Sequence, residues 1–276
     1  MPLSKSMAGW HRRGFRLLVA LGFVVATGPA HARDDASCDT LVASGNPEYP
    51  PLLWQAGDQS QPLKGALAEL LREIVEPLGV ALEVRDLGSW ARVQRTARLG
   101  DIDLVAGAFV TEERRGYLDY VSPPVTWLPS NVWVPADDRF SYRYWTDLRN
   151  KTGSTLINNS FGQDFDHFAE QHLAIEGIRT IEQSFRMAKA DRVDYVLYEK
   201  LQGQVKLARL GLADDFVALE PPISSERLHF AFSRRSPCNT EAFREAFARR
   251  LADVTRQRRI DTLVEEYTRE YLETSE

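Results

Sequence analysis

Short apolar runs alternate with amphipathic helical segments along this chain, and the alternation starts afresh near residue 150. Residues 39–44 read as a first strand. A helix follows from about Gly65, because Leu67, Leu70, Leu71, Ile74, Val75 and Leu78 recur at i, i+3, i+4 spacing. Residues 80–84 alternate like a strand. Residues 90–99 look helical and end at Gly100, and residues 102–106 form a buried strand bounded by glycines. After Pro123 and Pro124 comes an apolar strand at 131–135. The pattern then restarts with a strand at 152–157, a turn at 158–163 and a helix with Phe165, Phe168, Ala169 and Leu173 on one face. Strands at 193–198 and 228–232 follow, and two amphipathic helices close the chain. Such alternation specifies an α/β architecture. A restart without a Gly/Ser linker specifies two lobes joined by short strands, with a binding cleft between them as the physical consequence.

The first residues read as an address. Lys5, His11, Arg12, Arg13 and Arg16 form a basic stretch, residues 17–26 an apolar one too short to span a bilayer, and Ala30-His31-Ala32 a cleavage site. The mature chain is expected to begin at Arg33, after a signal peptide at 1–32. No cysteine stands near that site for a lipid anchor, and the expected location is the periplasm. Residues 1–32 carry four cations (Lys5, Arg12, Arg13, Arg16) and no acid, so their removal takes the formal charge from −5 to −9. An acidic surface argues against nucleic acid as a partner. Cys38 and Cys238 are an even count in an oxidising compartment, which favours a disulfide; two free thiols are the alternative.

Residues 107–124 read Gly-Ala-Phe-Val-Thr-Glu-Glu-Arg-Arg-Gly-Tyr-Leu-Asp-Tyr-Val-Ser-Pro-Pro. Thr111 stands where an N-cap belongs, and Arg114 falls in the first turn behind it. A cation is unfavourable at the positive end of a helix, so an arginine there implies a nearby anion. That anion is either a ligand or a neighbouring side chain such as Glu112 or Asp119. Arg115 carries the same charge one step round the helix, where solvent is expected.

This block resembles the Thr-x-x-Arg…Asp-Tyr/Phe-Ser-x-Pro signature of the extracytoplasmic solute-binding proteins of family 3, the polar amino-acid receptors of ABC importers. The resemblance extends over nearly the whole mature chain. Residues 43–51 look like the family's opening strand and loop, with Asn46 and Tyr49 at cleft positions and Trp54 as a further wall. Residues 65–70 stand in for Gly-Phe-Asp-Val-Asp-Leu. Asp147-Leu-Arg-Asn-Lys151 is similar to the opening of the family's second lobe. Residues 194–199 are similar to Asp-Ala-Val-Ile-x-Asp, whose last acid accepts a ligand ammonium; here it is Glu199. A surface ion pair of Glu199 with Lys200 or Arg192 is the alternative.

The resemblance implies a two-lobed, type II periplasmic-binding-protein-like α/β fold. Each lobe is a sheet flanked by helices, with two hinge crossovers. The first lobe would hold 33–128 and 226–276, and the second 129–225. In this family Arg114 would grip a carboxylate, and the turn at Asn158, Asn159, Ser160, Phe161 and Gly162 would cap it from the second lobe. Free N–H groups at a helix start favour an anion, and Ser160 is also a candidate N-cap. Trp90, Phe109 and Phe161 join Tyr49 as aromatic walls. Phe109 departs from the family, which has Ser or Thr two residues before the motif threonine. It removes a hydroxyl and fills space.

The implied function is capture of a small polar solute, an amino acid or related carboxylate, for a membrane permease complex. The protein is expected to be a monomer with no cofactor and no metal. His167 and His172 are five apart, off one helical face, and His229 reads as a strand histidine. Catalysis is not expected: no nucleophile elbow or phosphate loop is present. Two other readings remain on the same fold. One is a dehydratase-like enzyme using Glu48, Glu69 or Glu199 as general acid. The other is a sensory binding protein that presents its ligand to a receptor kinase.

Overall fold

The computed structural model describes residues 38–57 and 61–273. The signal peptide and its cleavage site lie outside the described residues. Strand β1 (Thr40–Ser44) leads into three short strands, β2 (Glu48–Tyr49), β3 (Leu53–Gln55) and β4 (Leu63–Lys64). Helix α1 (Ala66–Val75), strand β5 (Ala81–Val84), helix α2 (Trp90–Leu99), strand β6 (Leu104–Ala108), the one-turn helix α3 (Glu112–Arg115) and strand β7 (Leu118–Tyr120) follow. The long strand β8 (Thr126–Pro135) leads to β9 (Thr152–Leu156), α4 (Gln163–His172), β10 (Ala174–Ile178), α5 (Ile181–Lys189), β11 (Tyr195–Glu199) and α6 (Lys200–Arg209). Strand β12 (Phe216–Ser233) returns, and α7 (Glu241–Arg256) and α8 (Arg259–Glu273) close the chain.

One curled sheet runs β10-β9-β11-β8-β12-β6-β1-β5, with β7 beside β12. Its two ends are parallel and its middle antiparallel. β1 pairs in parallel with β5 and β6, and β9 with β10 and β11, whereas β8 runs antiparallel to β11 and β12. Parallel neighbours need crossovers, and helices supply them. β8 and β12 are the two crossings of the two-lobed fold. Leu228 of β12 pairs with Thr126, Ser224 with Ser130 and Phe216 with Pro135, so the crossings are hydrogen-bonded to each other along their length. Further along, β12 pairs with β6 through His229 to Phe232.

The helices bury the faces their periodicity marked. Leu67, Leu70, Leu71, Ile74 and Val75 of α1 enter the core together with Phe247 and Leu251 of α7 and Leu263 of α8. Ser89 caps α2 by accepting from the Arg92 N–H at 3.3 Å, and Gly100 ends it in the left-handed conformation with φ 88°. Cys38 and Cys238 are joined by a disulfide that ties the start of β1 to the loop after β12, 200 residues on. No helix among the described residues is long and apolar enough to cross a membrane.

Three expectations need correction. The strand expected at 102–106 runs instead over Leu104–Ala108, because β12 pairs with it through Ala108. Residues 45–51, read as a loop, contribute β2 to a small antiparallel sheet, β2-β3-β4. The second half holds a strand and two helices not marked in the sequence, β10, α5 and α6.

Candidate functional site

The ends of β1, β6 and β11, the start of α2 and the turn after β9 converge on one small cavity. Asn46, Tyr49, Trp90, Phe109, Arg114, Asn159 and Glu199 line it. Gly107, Ala108 and Leu228 complete it. Gly107 has φ 98°, and a Cβ there would meet Leu67 at 3.0 Å, so only glycine keeps this wall close. The cavity holds about 20 Å³, room for roughly one water. A larger solute does not fit within that volume. Beside it, sharing Arg114 and Asn159, lies a wide groove of about 1280 Å³ between α2 and α4. Thr111, Ser160 and Phe161 face that groove.

Arg114 is delivered by its cap. The Thr111 hydroxyl accepts from the Arg114 N–H at 3.2 Å, fixing the first turn of α3 and turning the side chain inward. The guanidinium is 4 % exposed, and its centre lies 5.3 Å from the Trp90 ring. Nε donates to Gln94 Oε1 at 3.3 Å, Nη1 to the Phe109 carbonyl at 3.2 Å and Nη2 to the Asn158 carbonyl at 3.4 Å. Among the described residues no carboxylate forms an ion pair with it; neither Glu112 nor Asp119 does, and Asp119 bonds Arg234 instead. Arg115 points outward over Tyr120, 5.9 Å from the ring centre.

Glu199 lines the same cavity. It closes β11 and is 1 % exposed. Burial pushes its carboxyl up to about 7, against smaller lowering effects from backbone hydrogen bonding, from Tyr49 and from Arg114. The Tyr49 hydroxyl is itself pushed well up, first by burial and then by the neighbouring carboxylate. One oxygen, Oε2, has no hydrogen-bond partner among the described residues, and neither has the Asn159 side-chain nitrogen. Lys200, the expected surface partner, pairs with Glu220 at 2.6 Å.

Other expected residues behave differently. Trp54 is buried away from the cavity, edge-on to Tyr267 and Tyr271 of α8, and serves packing rather than a cleft wall. Gly162, not Ser160, caps α4; its φ is 99°. The Ser160 hydroxyl instead accepts from the Gly162 N–H at 3.3 Å and donates to Asp166. The Phe161 N–H, expected for a ligand anion, donates to Asp166 Oδ1 at 2.8 Å, so the turn is already served by the chain's own carboxylate. Glu48 pairs with Lys206 at 3.3 Å and Glu69 with Arg72 on α1, which leaves Glu199 as the acid in the cavity. The His229 ring bonds the Val121 carbonyl at 2.8 Å and serves β12. Gln94 went unmarked in the sequence. It is a polar residue on a helix with several others, and nothing local distinguishes it.

The chemistry is a buried guanidinium and a buried carboxyl lining one cavity, walled by the rings of Tyr49, Trp90 and Phe109. Solved structures share this fold at low sequence identity. An amino acid ABC transporter substrate-binding protein, AbpA of Streptococcus pneumoniae, bound to L-arginine, is 20 % identical with a TM-score of 0.71, over 86 % of this chain and 97 % of its own. Holo ArgBP of T. maritima is 21 % identical with a TM-score of 0.65, over 79 % and 91 %. A histidine kinase sensor domain with similarity to periplasmic binding proteins is 21 % identical with a TM-score of 0.68, over 83 % and 95 %. No curated protein sequence matches the chain. The profile of the bacterial extracellular solute-binding proteins, family 3, matches residues 41–270, and the chain belongs to that family.

Proposed function

We propose that this chain is a periplasmic receptor that captures a small polar solute, an amino acid or a related carboxylate, for an ABC-type importer. The observation that carries the reading is Arg114, a guanidinium 4 % exposed with no ion pair among the described residues, in the same cavity as Glu199. A buried charge is costly unless an opposite charge meets it. A solute carboxylate would meet Arg114, and a solute ammonium would meet Glu199. The solute thereby stabilises the arrangement in which both halves touch it. The halves in this reading are 33–128 with 226–276, and 129–225. Export by a cleaved signal peptide, a membrane permease as partner and a monomeric state belong to the same proposal. The site is read as a binding site rather than an active site. Similarity to a kinase sensor domain favours one second reading, a binding protein that reports its solute to a signalling receptor.

A thermal-shift screen of the mature chain with amino acids, polyamines and small carboxylates tests the proposal. A solute at 100 times its Kd adds about 2.7 kcal/mol of stability. A screen in which no member of the three classes shifts the melting temperature overturns it.

A further inference from the structure

The guanidinium of Arg114 has two edges able to take a carboxylate side by side: the one shared by Nε and Nη2, and the end shared by Nη1 and Nη2. On the first edge both places are filled by the chain. Gln94 Oε1 accepts from Nε at 3.3 Å, and the Asn158 carbonyl accepts from Nη2 at 3.4 Å. The Gln94 amide also donates to that same Asn158 carbonyl at 3.2 Å. Two neutral oxygens are therefore set on the guanidinium as a carboxylate's two oxygens would be, and Gln94 joins them. The Tyr117 hydroxyl, 3.4 Å from Gln94 Oε1, steadies the amide from behind. Asn158 holds φ at 60°, a left-handed conformation uncommon outside glycine.

Gln94 lies on α2, between β5 and β6, while Asn158 lies in the turn after β9, across the groove. The bond between them is thus a contact between the two sides. A second contact crosses nearby, where the Glu112 N–H donates to Gln163 at 3.0 Å. All of these bonds run between the chain's own groups.

We propose that Gln94 is a positioning residue of the solute site. It reserves the Nε–Nη2 edge of Arg114 for the chain and clasps α2 to the Asn158 carbonyl. The consequence for specificity rests on the reading that Arg114 receives the solute's carboxylate: the solute is left the Nη1–Nη2 end, which it shares with the Phe109 carbonyl that accepts from Nη1 at 3.2 Å. The test of the clasp uses no solute.

The test takes the mature chain, unfolded and refolded by dialysis to strip any solute, as wild type, Gln94→Met and Gln94→Glu. Both replacements keep length and bulk. Methionine removes donor and acceptor. Glutamate keeps an acceptor for Nε, loses the donor to Asn158 and sets a carboxylate against a carbonyl. Small-angle scattering is expected to show a shift to a larger radius of gyration for both variants. NMR is expected to show the Arg114 Nε–H moving to fast exchange in Gln94→Met and staying protected in Gln94→Glu. A residue that merely packs would lower the melting temperature without either change. Equal radii of gyration for all three proteins, or an unaltered Nε–H in Gln94→Met, overturns the proposal. If both changes occur and the thermal-shift screen finds no solute, the clasp stands and the binding reading falls.

Discussion

The two ionisable groups that line the cavity, each one end of the comparison, solve the same problem in opposite ways. Arg114 and Glu199 are both almost fully buried, and neither is in an ion pair among the described residues. A guanidinium keeps its proton at any pH the protein meets, so it must be surrounded by acceptors. Arg114 has three, all neutral. A carboxylate can take up a proton instead. Glu199 is left with one unbonded oxygen and is pushed up to about 7. One end is held charged by hydrogen bonds, and the other is poised to discharge. A zwitterionic solute would satisfy both.

Arg114→Ala removes the end that stays charged and has the largest expected effect. Losing one partner of a desolvated pair costs about 2–5 kcal/mol, so calorimetry should read a loss of at least tenfold in affinity for a carboxylate solute. Arg114→Lys should also bind poorly, because a point charge cannot replace a two-pronged contact. Equal affinities for wild type and Arg114→Ala would break the comparison.

Glu199→Gln tests the other end through pH. A carboxyl raised from 4.5 to about 7 in the folded state binds its proton more tightly there than when unfolded. The stability it contributes is present below pH 4.5 and is lost as pH rises through 7, about 3 kcal/mol in all. Melting curves between pH 4 and 8 should fall more steeply for wild type than for Glu199→Gln. Binding runs the other way. An ammonium selects the ionised carboxylate, so affinity for an ammonium solute should rise up to about tenfold per pH unit toward 7 and then flatten. Parallel stability curves for the two proteins would show that Glu199 does not titrate in this range.

Phe109→Ser sharpens the question of what fits between the ends. It opens the cavity and supplies a hydroxyl beside Arg114, and a thermal-shift screen should then respond to more α-amino acids than wild type does. An unchanged set of hits would remove Phe109 as a selector. The smallest effect is expected at Arg115, exposed over Tyr120, where Arg115→Ala should change affinity by less than about twofold, as exposed charges do.

What the sequence disclosed follows the range of the interactions involved. Thr111 and Arg114 are three residues apart, and one cap hydrogen bond places the arginine, so the pattern is readable locally. Glu199 was marked by the family resemblance, with a surface ion pair left open; the fold puts it at the end of β11 and gives Lys200 to Glu220. Trp54 was misplaced because its neighbours, Tyr267 and Tyr271, lie more than 200 residues away on α8. The turn at 158–162 was readable as a turn, but its occupant was not. Asp166 is an exception to the rule of range: it lies only five and six residues from the Phe161 N–H and the Ser160 hydroxyl it serves, yet it looks like any acid in a first helical turn. Gln94 acquires its partners from α3 and from the turn after β9, neither of which its own helix foretells.

The paired crossings have a consequence for how such a site can change over time. Ser130 and Ser224 face each other across β8 and β12, so the stretch between them leaves and rejoins the rest of the molecule at one place. A segment whose two ends meet can be exchanged as a cassette by recombination, provided the newcomer restores the contacts made elsewhere: Tyr198 on the Glu48 carbonyl, Lys206 on the Glu48 carboxylate and Arg209 on the Tyr271 carbonyl. That cassette carries Asn158, Asn159 and Glu199, while Arg114, Gln94, Tyr49 and Phe109 remain in the host. One genetic event would therefore replace the half of the site that carries the acid and leave the half that carries the arginine intact.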